Sequence, residues 1–138
     1  MELKNKYGHV SLQVESNIII SNFNGSINES LVLDFSKAIL SQAKIFAGSP
    51  WAYISNSLSV QAATPGAEER FICLTKDMVK KGCVASAYIL DSTVAINQMQ
   101  RVLNRAGLYH NIHDLLFTNM EEALSFVEQK MKGPVTSS

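Results

Sequence analysis

Three short apolar runs constrain this chain more than any other feature: "WAYIS" (51–55), "CVASAYIL" (83–90) and "IHDLLF" (112–117). Each is short and largely nonpolar at consecutive positions, the pattern of a strand covered on both faces. Such strands belong to parallel sheets with helices packed on either side. Parallel neighbours are not joined by a tight turn, so a crossover helix is required between runs. The intervening segments have that character. After Ser26-Ile27-Asn28-Glu29, which has capping-box spacing, Leu31, Phe35, Ile39, Ala43 and Phe46 recur at helical intervals, and Gly48 and Pro50 end the segment. A second helix opens at Thr64-Pro65, carries Ala67, Phe71, Leu74 and Met78 on one face and stops at Lys80-Lys81-Gly82. A third opens at Asp91-Ser92, turns Ala95, Met99, Val102 and Ala106 inward and stops at Gly107. The last opens on Thr118 and Glu121, again at capping-box spacing, with Met120, Ala123, Leu124, Val127 and Met131 inward and Gly133-Pro134 beyond.

Ahead of these repeats the pattern changes period. Val10, Leu12 and Val14 alternate with Ser11, Gln13 and Glu15, which predicts a half-exposed strand. "ESN" (15–17) turns the chain and "IIISNF" (18–23) returns as a more buried strand. The resulting order is ββαβαβαβα. It predicts an α/β fold with a mixed sheet of about five strands, parallel apart from one edge strand, and about four helices. Residues 1–133 read as a single domain and 134–138 as a short flexible tail.

Composition removes several function classes. The chain has 138 residues, 46% apolar and 17% charged, enough for a core without disulfides or metal. Twelve basic residues balance twelve acidic ones with no basic stripe, which argues against nucleic acid. No apolar run approaches the roughly 20 residues of a membrane span. "MELKNKYGHV" has no apolar leader core, and Cys73 and Cys83 are too few for a disulfide framework, so a cytoplasmic location is expected.

Gly25 closing the second strand, "GSPWAYIS" (48–55), "ATPGAEE" (63–69) and "FTNMEEALSFV" (117–127) together resemble the SpoIIAA-like (STAS/SEC14) family of small bacterial proteins. A more distant likeness is to the STAS anti-sigma-factor antagonists. The resemblance spans roughly residues 9–131 and implies a SpoIIAA-like fold. Two departures stand out. Relatives usually carry Asp where this chain has Asn56. Anti-sigma antagonists carry an Asp-Ser-Ser-Gly stretch, phosphorylated on its first Ser, where this chain has "ATPG" with Thr64 as its one hydroxyl.

Ser55, Ser57 and Ser59 lie near no G-x-S-x-G elbow and no evident base, and read as linker. Thr64 reads first as a helix N-cap and second as a candidate regulatory phosphosite. Like charge at Glu68 and Glu69 opposes a phosphate there, while the free amides of the helix start favour it. His110 and His113 fall on opposite faces of an expected strand, and no metal site is predicted. Cys73 and Cys83 read as small buried hydrophobes. Asn97, Gln98, Arg101, Asn104 and Arg105 cover the outer side of the third helix, and Asn97, Arg101, Asn104 and Arg105 form the candidate interaction surface. Trp51 is expected to anchor helix ends against the sheet. The first helix is apolar on more than one face, an excess that suits a second copy, extra sheet or an apolar ligand.

These readings predict a non-catalytic STAS-like domain with no cofactor, acting through an unidentified protein partner or as a homodimer. The alternative is a carrier or sensor of a small apolar or lipid-like ligand.

Overall fold

The computed structural model describes residues 1–60 and 62–132. Five strands form one sheet: β1 (Glu2–Lys4), β2 (Gly8–Glu15), β3 (Ile18–Gly25), β4 (Trp51–Asn56) and β5 (Cys83–Ile89). They lie side by side in chain order, with β1–β2 and β2–β3 antiparallel and β3–β4 and β4–β5 parallel. Four helices connect and cover them: α1 (Glu29–Ala43), α2 (Pro65–Lys80), α3 (Thr93–Arg105) and α4 (Met120–Met131). The α/β class, the mixed sheet of five strands and the four helices are as expected. The expected tail (134–138) lies outside the described residues.

Two details differ. The strand that opposes its neighbours is β2, one place in from the edge, because the N-terminal residues add β1 outside it. The run 112–117 is not a strand but a 3₁₀ turn, Ile112–Leu115, followed by a single bridge from Leu116 to Tyr88. Asn111 sets the turn by accepting the His113 amide at 3.0 Å. Ile112 and Leu115, three apart, are the buried positions, while His113 and Asp114 between them face solvent. A three-residue period suits a 3₁₀ turn and defeats a strand.

Helix starts also shift toward asparagine. Asn28 caps α1 through the Leu31 amide at 3.0 Å, and Asn119 caps α4 through the Glu122 amide at 2.9 Å. Ser26 cannot cap α1, because the next residue, Ile27, is still extended and bridges to Ala63. Thr64 and Ser92 cap α2 and α3 as expected, accepting from Ala67 and Ala95.

Helices α1, α2 and α3 lie on one face of the sheet and α4 on the other. The apolar excess of α1 is spent on covering sheet: Leu31, Val32, Phe35 and Ile39 are buried, with only Leu33 on the rim of exposure. Trp51 acts as expected, stacking on Phe46 and donating its indole N–H to the Lys81 carbonyl at the end of α2, 2.9 Å away.

Candidate functional site

The carboxyl ends of β3, β4 and β5 face one way, and their loops lead into α1, α2 and α3. Ligands and partners of open α/β sheets gather at this end. Gly25, at φ +83°, turns the chain there, and a Cβ would stand 2.7 Å from the Tyr7 carbonyl oxygen, so the β1–β2 turn presses directly on it. Tyr7, Leu58 and Val94 project from this end with more than half of each side chain exposed. Thr64 is also exposed, its hydroxyl oxygen accepting from the Ala67 amide at 3.2 Å.

The loop before Thr64 is pinned from α3. The Gln98 carboxamide accepts from the Ala63 amide and donates to the Ala63 carbonyl, both at 2.8 Å, as a strand neighbour would. Gln98 therefore turns inward, away from the solvated face assigned to it by sequence. Beyond it a ladder of charges joins α3 to α2. Arg101 holds Glu68 at two points, 2.7 and 3.3 Å, and Arg105 holds Glu69 at 2.5 and 3.2 Å. The guanidinium of Arg101 keeps the Glu68 carboxyl below its ordinary acidity range, and Glu69 raises the affinity of Arg105 for its proton. Of the candidate surface, Arg101 and Arg105 thus face carboxylates of their own chain. Asn104 accepts from Gln100 at 3.1 Å, and Asn97 is exposed.

A second feature, absent from the sequence reading, lies under α2 and α3. The parallel register sets Ser21 beside Ser55, Tyr53 beside Ser86 and Ser55 beside Tyr88, so five hydroxyls share one face of three strands. Ser21 and Tyr53 are hydrogen-bonded at 2.6 Å, and Ser55 meets Ser57 at 3.0 Å. Burial raises both phenols, Tyr53 to about 12 and Tyr88 further, and lifts the Cys83 thiol to about 11, so all three stay neutral. Above this floor α2 and α3 part and leave a cavity of about 810 Å³. "YIS" and "SAY" carried the signal as mirrored alternations, but only the register brings them together.

The remaining candidates scatter. Cys73 is exposed on α2, which corrects the buried reading: it points away from the stripe that buries Ala67, Ile72, Leu74 and Met78. Cys83 is half-buried. His110 and His113 are exposed, and among the described residues no group of three His, Cys, Asp or Glu side chains is placed to hold a metal. None of Ser21, Ser55, Ser57, Ser59 or Thr64 bonds a histidine or carboxylate; Ser59 donates to Asn24 at 2.6 Å. No helix among the described residues is long and apolar enough to cross a membrane.

No protein-family model matches this chain, and no curated protein matches it. Its likeness is to solved structures. An uncharacterised DUF3478-family protein from Shewanella loihica with a SpoIIAA-like fold aligns over 90% of this chain and 98% of its own, at 11% identity and TM-score 0.64. The anti-sigma factor antagonist SpoIIAA in its unphosphorylated form aligns over 87% and 96%, at 13% identity and TM-score 0.63. An anti-sigma factor antagonist from Mycobacterium paratuberculosis aligns over 86% and 92%, at 12% identity and TM-score 0.60. The chain has the SpoIIAA-like fold.

Proposed function

We propose that residues 1–133 form a non-catalytic regulatory domain of the cytoplasm that binds a partner protein through the loop end of the sheet. One observation carries this reading: Tyr7, Leu58 and Val94 are all exposed at that end, where Thr64 is also exposed. Large apolar side chains held in water by two loops and a helix start at one end of a sheet are the raw material of a docking surface. Two structural neighbours are anti-sigma factor antagonists, which supports a regulatory role. Asn97, Arg101, Asn104 and Arg105 form the polar border on α3. Its arginines are already paired, so the border contributes shape and register more than net charge.

Thr64 is the regulatory phosphosite of this proposal. The like-charge objection weakens once Glu68 and Glu69 each face a guanidinium, while the amides of a 16-residue helix start remain favourable to a phosphate.

The test is affinity capture from a lysate of the source organism with wild type and with Leu58→Asp/Val94→Asp, whose fold is checked by circular dichroism. Wild type should retain a defined protein that the variant loses, and that Thr64→Glu retains to a different extent. Identical capture by all three removes the loop end from the reading. Retention of the chain's own untagged copy would make the partner a second copy.

A further inference from the structure

We infer that the cavity under α2 and α3 is a binding site for an uncharged, mainly apolar small molecule that carries a hydrogen-bond-accepting oxygen. Its volume, about 810 Å³, falls within the roughly 300–1,000 Å³ of small-molecule sites. Its walls are the apolar sides of α2, α3 and the 3₁₀ turn, including Leu74, Met78, Met99, Leu103 and Leu115. Two of these are methionines, whose unbranched side chains adjust to a ligand's shape.

The floor decides the ligand's chemistry. Tyr53, Ser55, Ser57, Ser86 and Tyr88 line the cavity. A buried hydroxyl is unfavourable unless it is hydrogen-bonded, so aliphatic side chains would build this face at lower cost. A pair of hydroxyls joined by one hydrogen bond uses one of its two protons. Ser21, Tyr53, Ser55 and Ser57 form one chain, since the Tyr53 phenol also bonds Ser55; its three contacts use three of four protons and leave one to give, and Tyr88 paired with Ser86 keeps another. The floor thus offers donors to an oxygen, and its phenols stay protonated at any physiological pH.

Charge is excluded by position. The ionisable side chains at the cavity margin are Glu68, already held by Arg101, and His110, Asp114 and Lys130, all three exposed. Cys83, also in the lining, stays a thiol. The ammonium of Lys130 sits over the Phe126 ring and the floor hydroxyls bond one another, so no cation is paired with the floor to balance a carboxylate there, and an unpaired buried charge is strongly unfavourable. The mouth has an apolar lip: Val79, Val84 and Tyr109 line the cavity and are largely exposed. It opens beside the first half of β5, which no sixth strand covers, since Leu116 reaches only Tyr88.

The test is amide chemical-shift mapping with a medium-chain methyl ketone as probe, against the ionised fatty acid of equal length. The ketone should shift amides of 53–57 and 83–88 and bind more tightly than the acid. Tyr53→Phe and Tyr88→Phe should each weaken it roughly threefold to tenfold, the worth of one hydrogen bond. Met99→Trp, which narrows the cavity from its α3 wall, should weaken the shifts. Circular dichroism confirms that each variant is folded, and Tyr88→Phe serves if Tyr53→Phe is not. Absence of shifts at saturating ketone, binding by both phenylalanine variants as tight as by wild type, full binding by Met99→Trp, or tighter binding of the ionised acid would each overturn the assignment.

Discussion

The two faces of the same three central strands are made of different material. Against α4, Ile18, Ile20, Ala52, Ile54, Ala87 and Ile89 present only aliphatic carbon. On the opposite face the alternate positions carry Ser21, Tyr53, Ser55, Ser86 and Tyr88, with the aromatic rings of Phe23 and Phe35 stacked edge-on nearby at 4.8 Å. One helix closes the first face and three are spread over the second, yet the second holds the cavity. Aliphatic contact is non-directional and gains with every atom removed from water. Hydroxyls must be matched, and the net gain of each match is small. The α4 face therefore concentrates stability, while the opposite face gives some of it up for groups that can recognise something.

The largest test of that contrast is Ile54→Ala. Its side chain is wholly buried under α4 and does not line the cavity, and truncation should cost about 2–5 kcal/mol in urea unfolding. Met99→Ala, on the wall of the cavity, should cost less than Ile54→Ala because its surroundings are already partly open. Equal losses would mean that the two faces share the load, and the contrast would fail.

Tyr53→Phe comes next. It removes one oxygen and leaves Ser21, fully buried, without its 2.6 Å partner, so about 1–3 kcal/mol should be lost. Adding Ser21→Ala should recover part of this in a double-mutant cycle. The same hydroxyl also predicts an alkaline limit. Tyr53 titrates near 10.0 when unfolded and near 12 when folded, so its contribution is complete below pH 10.0 and fades as pH rises toward 12. Wild type should lose stability across that window more steeply than Tyr53→Phe, as followed by urea midpoints at successive pH values. Matching slopes would show that the phenol is not held neutral by burial.

The contrast was half legible from sequence. Ile18, Ile20, Ala52 and Ile54 stand in apolar runs that announce buried strands, and the buried face of α1 follows from its spacing. The strand β1 escapes notice because its three residues, Glu-Leu-Lys, are too few to show a period. The run 112–117 misleads because six residues fit more than one period, and the burial of Ile112 and Leu115 selects the 3₁₀ turn. Cap positions shift from Ser26 to Asn28 and from Thr118 to Asn119 because geometry at the helix entry, not residue preference alone, chooses the acceptor. The hydroxyl floor is written as "YIS" and "SAY", 33 residues apart, and nothing local reveals that Tyr53 lies beside Ser86. The inward turn of Gln98 is hidden for a similar reason: its partner, Ala63, is 35 residues away.

The smallest expected effects concern how α2 and α3 stay together above an incompletely filled floor. Among the described residues, side-chain ion pairs tie α2 to α1 and to α3, whereas no such pair ties α4, whose face is already closed by carbon. The two α2–α3 pairs differ in setting: the Glu68 side chain is 13% exposed and that of Glu69 is 58% exposed. Arg101→Gln should therefore cost more than Arg105→Gln, and both should cost little. Acid separates them further. A carboxyl whose folded pKa is depressed stabilises the fold above its ordinary value, 4.5 for Glu68, and loses that contribution as pH falls through the depressed value. Wild type and Arg105→Gln should both lose stability on acidification more steeply than Arg101→Gln, in which the depression is largely removed. Parallel acid profiles for all three proteins would show that apolar contact alone holds α2 to α3, and that the cavity face resembles the α4 face more than its chemistry implies.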